Sequence, residues 1–302
     1  MSIKAIPARR AQAQPQENVV GYRPRWYTRT PVHVVVILIS VIWLLPTLTL
    51  LFTSVRSIQD INTSIWWTLL WTPHQFTLQN YSTVLHTATS IGMGQAFLNS
   101  LIITIPATIL PILIGAGAAY AFAWLRFPLR NTIFLVLVAL QVIPLQMLLI
   151  PLLRIFTDWH IVGTYAALWV AHTAFGLPLI VYILRNFMSG IPYELLEAGR
   201  IDGAGDVGIF ARIILPLTIP AIAAVAIFQF MWVWNDLLVA LVFSGSSTAP
   251  MTVIVRSLVG AYGNGWHLMT AAAFISMVLP LTIFFSLQRY FVTGLTAGAV
   301  KG

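Results

Sequence analysis

The sequence predicts an all-α, polytopic membrane protein with six transmembrane helices. Three observations carry that prediction. The chain is 59% hydrophobic and only 8% charged, against about 25% charged in an ordinary soluble domain, so its solvent must be largely lipid. Six apolar runs recur along it, each reaching the ~20 residues that cross a bilayer. Lysines and arginines gather at alternate connections between the runs, as membrane topology requires.

Residues 1–30 come first, a tail with Lys4, Arg9, Arg10, Arg23, Arg25 and Arg29. Its polar, basic composition predicts disorder, leaving 31–302 as the membrane domain. The run at about 32–54 is expected to be a retained span. It is too long for the core of a signal peptide, and no small-x-small cleavage site follows. The loop Ser57 to Ala96 carries Trp66, Trp67 and Trp71, which suit the membrane interface; contact with a partner or a sugar is the alternative.

Five further spans are expected at about 97–124, 132–154, 164–187, 216–243 and 268–291. Pro46, Pro106, Pro111, Pro144, Pro178, Pro220 and Pro280 fall inside the runs. Each frees a backbone carbonyl that a neighbouring helix or a cavity must satisfy. Kinks around a pathway and plain packing irregularity both fit. Gly115 to Ala119 is a run of small residues that lets helix backbones approach closely.

Orientation follows from charge. One side collects 13 of the 16 cations: the tail, Arg126, Arg130, Arg185, Arg200, Arg212, Arg289 and Lys301. Arg56, Arg154 and Arg256 lie on the other. Both termini are therefore expected in the cytoplasm, with the loop at about 190–215.

That loop is the most charged part of the chain. Glu194, Glu197, Asp202 and Asp206 are half of its eight acids, interspersed with Arg200 and Arg212. Pro192 suits the first turn of a short helix. Glu194 and Glu197 would share a face near its N-terminus, which the helix dipole favours. Gly203 and Gly205 should turn the chain, and an amphipathic stretch from Val207 to Ile214 should stop at Pro216. A pair of membrane-surface helices would not account for the acids, because anionic lipid favours Lys and Arg there.

The pattern Glu197-Ala198-Gly199, three residues, Gly203, nine residues, Ile213-x-Leu215-Pro216 resembles the EAA loop of importer permeases of the ATP-binding cassette superfamily. Asn99-Ser100, Ala119-Tyr120-Ala121 with Arg126-Phe127, and Trp234-Asn235-Asp236 extend the likeness to the carbohydrate importers of the maltose-permease branch. So does the tail Gln288-Arg289-Tyr290, Gly294-Leu295, Gly298 to Gly302. The resemblance implies a type-I importer permease fold with a cytoplasmic coupling helix. It marks Glu194, Glu197, Ala198, Gly199, Arg200, Asp202, Gly203, Ile213, Leu215 and Pro216 as the coupling residues. Arg200 and Asp202 would either brace the turn or pair with the ATPase. Implied partners are two copies of a cytoplasmic ATPase that bind ATP and Mg, a second homologous permease, and an extracytoplasmic sugar-binding protein. The last would meet the loop Ser244 to His267 with its Gly263-Asn264-Gly265-Trp266. The implied location is the cytoplasmic membrane of a prokaryote. The chain departs from the family at Gly199, where alanine is usual; glycine inside a helix costs roughly 1 kcal/mol relative to alanine.

Other functions are constrained by what the sequence contains. Its two lysines, Lys4 and Lys301, are near the termini, and no GxxxxGK[ST] phosphate loop occurs. ATP hydrolysis is therefore expected on other chains. A secondary, proton- or sodium-coupled transporter is the rival, and Asp236 is the one acid within an expected span. With Asn99, Trp232, Trp234 and Asn235 it is a candidate for the substrate pathway, while an Asn235–Asp236 hydrogen-bonding pair is the simpler reading. His33, His74, His86, His160, His172 and His267 show no HExxH spacing, and there are no cysteines. No metal site, catalytic residue or cofactor is expected in this chain. The cations flank apolar runs instead of forming a stripe, which argues against nucleic acid.

Overall fold

A computed structural model describes residues 26–86, 91–260 and 265–297. Lys4, Arg9, Arg10, Arg23, Arg25, Gly263, Asn264 and Gly298 to Gly302 lie outside the described residues. The chain forms two units, residues 1–48 and 49–302. In the first, the described residues belong to α1 (Trp26–Ser54), which contains Pro31 and Pro46.

The second unit is built of helices and the turns that join them. It continues with α2 (Ile58–Thr63), α3 (Gln79–His86), α4 (Met93–Trp124), α5 (Arg130–Ala139), α6 (Leu145–Asp158) and α7 (Tyr165–Met188). Then come α8 (Tyr193–Ile201), α9 (Asp206–Ile209), α10 (Leu215–Trp234), α11 (Leu238–Phe243), α12 (Met251–Ser257) and α13 (Trp266–Ala297). Among the described residues five helices are long and apolar enough to span a membrane, or six if the bent pair α5–α6 counts as one. Between α1 and α3 the chain folds around the buried Arg56. Its guanidinium donates to the carbonyls of Asp60 and Ser64 and to the hydroxyls of Ser64 and Thr68. Trp66 stacks on Phe52, whereas Trp67 and Trp71 are exposed.

The core is α4 packed along α7, with α10 against both. Gly115 makes the closest approach possible: a Cβ there would stand 2.7 Å from Ile180 Cγ2. Pro106, Pro111 and Pro280 follow one rule. Pro106 cannot donate to the Ile102 carbonyl, and the Trp169 indole of α7 bonds it at 2.8 Å. Pro111 leaves the Ala107 carbonyl open, and Gln229 of α10 takes it at 3.1 Å. Pro280 frees the Ser276 carbonyl, which receives the Trp234 indole at 3.3 Å. Neighbouring spans thus satisfy backbone groups that lipid could not. Gly176 leaves room for this, since a Cβ there would come within 2.6 Å of the Gln229 side chain.

Three expected elements differ. The run 132–154 is no straight span: α5 and α6 meet at 103°, because Pro144 disfavours helical geometry at Ile143 and opens a new helix. The run 216–243 stops at Trp234. There Asn235 bonds the Met231 carbonyl and Asp236 accepts the Ala240 N–H, side-chain bonds that compete with a continuing helix. Pro216 does not stop the preceding stretch. The helix continues from Asp206 to Trp234 through a π-turn at Phe210–Ile214. The missing N–H of Pro216 is accommodated there, with the Leu215 N–H reaching the Phe210 carbonyl.

Candidate functional site

Sequence locally dictates the shape of the loop at about 190–215. Pro192 is the N-cap of α8, one position before the expected first turn, with Glu194 just inside. At the other end Asp202 caps the helix, and Gly203 takes φ +80°, a left-handed conformation that glycine adopts without strain. Ala204 N–H then returns to the Gly199 carbonyl at 2.9 Å. Arg200 closes the turn, 3.5 Å from Asp206 and 3.1 Å from the Tyr193 hydroxyl. Both charges are exposed, so the ion pair orients more than it stabilises.

The loop has two faces. Leu196 and Gly199 are buried, and Leu196, Ile209 and Ile214 join Ala119, Tyr120, Leu184 and Met188 in one apolar cluster. Tyr120 of α4 meets Phe210 with ring centroids 5.2 Å apart, and Trp124 meets Tyr193 at 6.1 Å. Gly199 sits where space is short: a Cβ would be 2.8 Å from Ile213 Cδ1 and 3.3 Å from Ile209 Cγ1. The glycine is a packing residue between α8 and the π-turn. Outward, Glu194, Glu197, Ala198, Arg200, Asp202 and Pro216 are exposed, with Ile213 and Leu215 half-buried. Leu195, Ile201 and Val207 are exposed beside the acids, Ile201 and Val207 by more than 80%. Acidic and apolar groups alternate on a surface that the rest of the chain leaves open.

The opposite end of α4 is polar. Asn99 is fully buried and makes all four bonds an amide can make. It donates to the carbonyls of Ser247 at 2.9 Å and Ala249 at 3.0 Å. It accepts from Gln95 at 2.9 Å and from the Tyr165 hydroxyl at 2.7 Å. Ser100 Oγ accepts the first N–H of α12, from Met251, at 2.9 Å. Thr248 bonds the Gly163 carbonyl at 2.9 Å. The connection from α11 to α12 is thereby stapled to α4 and to the turn before α7.

The expected pathway residues divide. Asn99 is committed to that staple. Trp234 is buried, stacked on Phe230 and edge-on to Phe97. Trp232 and Asn235 reach the surface, and Asp236 is partly exposed. Asn235 and Asp236 bond other groups instead of each other. The sequence offered no signal for His172, which lies buried with Nε2 3.9 Å from Asp236 and its ring edge-on to Trp232 at 5.4 Å.

Residues 111–296 match the family described as the binding-protein-dependent transport system inner membrane component. The chain belongs to that family. This permease is 49% identical, over 94% of its length and 96% of the relative's, to the osmoprotective compounds uptake permease protein GgtD of Synechocystis. It is 52% identical to the alpha-glucoside transport system permease protein AglG of Rhizobium meliloti over 76% of its own length, spanning 62% of that relative. Its fold is that of a chain from a bacterial ABC transporter involved in import of the acidic polysaccharide alginate. That match has a TM-score of 0.71 at 18% identity, covering 88% of this chain and 96% of the other.

Proposed function

We propose that this permease carries a sugar, or a related polyol or glycoside, across the cytoplasmic membrane by ATP-driven alternating access. The α8 end faces the cytoplasm and the α12 end the exterior. The observation that carries the proposal is the two-faced coupling loop. Its buried face is keyed into the spans, while Glu194, Glu197 and the adjacent exposed apolar residues offer a docking surface to an ATPase. Ala198, Gly199, Arg200, Asp202, Gly203, Ile213, Leu215 and Pro216 shape and hold that surface. The hydrolytic machinery, with its ATP and Mg, resides on two copies of the ATPase. A second homologous permease completes the pathway, and an extracytoplasmic binding protein delivers the substrate. Trp232, Asn235 and Asp236 contribute to the pathway wall, where an aromatic face and planar polar groups suit a hydroxylated ring. The names of the relatives, an alpha-glucoside permease and an osmoprotectant permease, support that substrate class.

Reconstitution tests the reading. Uptake should require the ATPase, ATP and the binding protein together. Gradient-driven uptake of sugar by this chain alone would overturn it. Glu197→Lys should lower co-purification of the ATPase several-fold while membrane insertion is unchanged; unaltered assembly and transport in that variant would remove the docking role.

A further inference from the structure

We infer that α4 is the rigid link through which the two ends of this permease sense each other, with Tyr120 and Asn99 as its positioning residues. The inference rests on the proposed function, which puts the ATPase at one end and the binding protein at the other.

Length is the first argument. α4 has 32 residues, about 48 Å at 1.5 Å per residue, enough to reach from one face to the other. Each of its two ends is fastened to a connection between spans or to the entry of the span that follows. At one end Tyr120 and Trp124 seat the coupling loop through Phe210 and Tyr193. At the other, Asn99 and Ser100 hold the α11–α12 connection and the start of α12.

Stiffness is the second. Pro106 and Pro111 would ordinarily soften α4, but Trp169 and Gln229 take the carbonyls they free, and Gly115 is locked against Ile180. The competing route along α10 is soft at both ends. It leaves the coupling loop through a π-turn and finishes at the break after Trp234. π-Turns are among the few places at which helices kink. Energetic coupling between distant sites is carried by rigid elements with discrete arrangements, and α4 is the better candidate.

The seat at Tyr120 works by shape. Among the described residues neither its hydroxyl nor the Trp124 indole N–H meets a hydrogen-bond partner, and the rings hold the loop by packing. Phenylalanine should therefore serve as well as tyrosine at 120.

The test uses the complete complex in nanodiscs. It measures the affinity for the purified, ligand-free binding protein, with and without ATP plus vanadate. The ratio of the two affinities reads the coupling between ends. Tyr120→Ala and Asn99→Ala should each shrink that ratio about fivefold or more, and Tyr120→Phe should keep it. Residues 99 and 120 are about 30 Å apart along the helix, a separation at which effects normally add. If both act through one link, the double variant loses no more than the worse single variant. Multiplied losses in the double variant, or an unchanged ratio in either alanine variant, would overturn the inference. Should an alanine variant fail to assemble, Tyr120→Leu or Asn99→Ser takes its place in the same cycle. A complex that never binds the binding protein, even without substitutions, instead rejects the proposed function.

Discussion

The two ends of α4 are held by different physics. At the α8 end, Leu196, Ile209 and Ile214 bury apolar surface against Ala119 and Tyr120, and nothing directional fixes them. At the α12 end, Asn99 and Ser100 grip backbone groups through bonds of 2.9–3.0 Å. Apolar packing depends on volume and tolerates exchange of shape. A hydrogen-bonded staple depends on chemistry, because its carbonyls become buried and unsatisfied when the donor is removed. The end proposed to meet a motor is thus keyed by volume, and the end proposed to meet a carrier protein is keyed by polarity.

Substitutions that keep size and change chemistry sharpen this contrast. Asn99→Leu has the largest expected effect. It strands the carbonyls of Ser247 and Ala249, at about 1–3 kcal/mol each, and should lower the thermal unfolding temperature of the detergent-solubilised permease clearly. An unchanged melting curve would break the comparison at its polar end. Leu196→Met makes a swap of similar size at the apolar end and should cost less than about 1.5 kcal/mol in the same assay; a loss matching that of Asn99→Leu would mean that α8 is held by something other than packing. Gly199→Ala should have the smallest effect, within about 1 kcal/mol. The added methyl meets the flexible tip of Ile213 at 2.8 Å and Ile209 Cγ1 at 3.3 Å, both side-chain atoms that can shift slightly, and the helix gains propensity in return. A collapse of expression on that change would make the glycine a backbone requirement.

Much of this was legible in the sequence, and the parts that were not share a cause. Composition and run lengths predict the helices; Gly203 predicts the turn at the end of α8, and the clustered acids predict its exposed face. What a single chain reads poorly is which partner meets which freed group. Nothing in the sequence connects Pro106 to Trp169 or Pro111 to Gln229, because those pairings depend on how helices far apart in sequence line up. For the same reason a linear reading does not show that Asn99 and Trp234 bond the backbone of other elements. Gly199 looks like a weakness by helix propensity alone. Its neighbours Ile209 and Ile213 lie beyond a turn, and only the folded loop explains it.

The bonds at Pro106 and Pro111 also impose an order on biosynthesis. The donor to Ile102 is 67 residues later in the chain, and the donor to Ala107 is 122 residues later. Because synthesis proceeds from the N-terminus, α4 is complete before either donor has been made, carrying two open acceptors at fixed depths. Each later span must arrive with its indole or amide at the matching depth to close one of them. The prolines act as registration marks, set early in translation and read when the fourth and fifth long apolar stretches follow the second into the membrane.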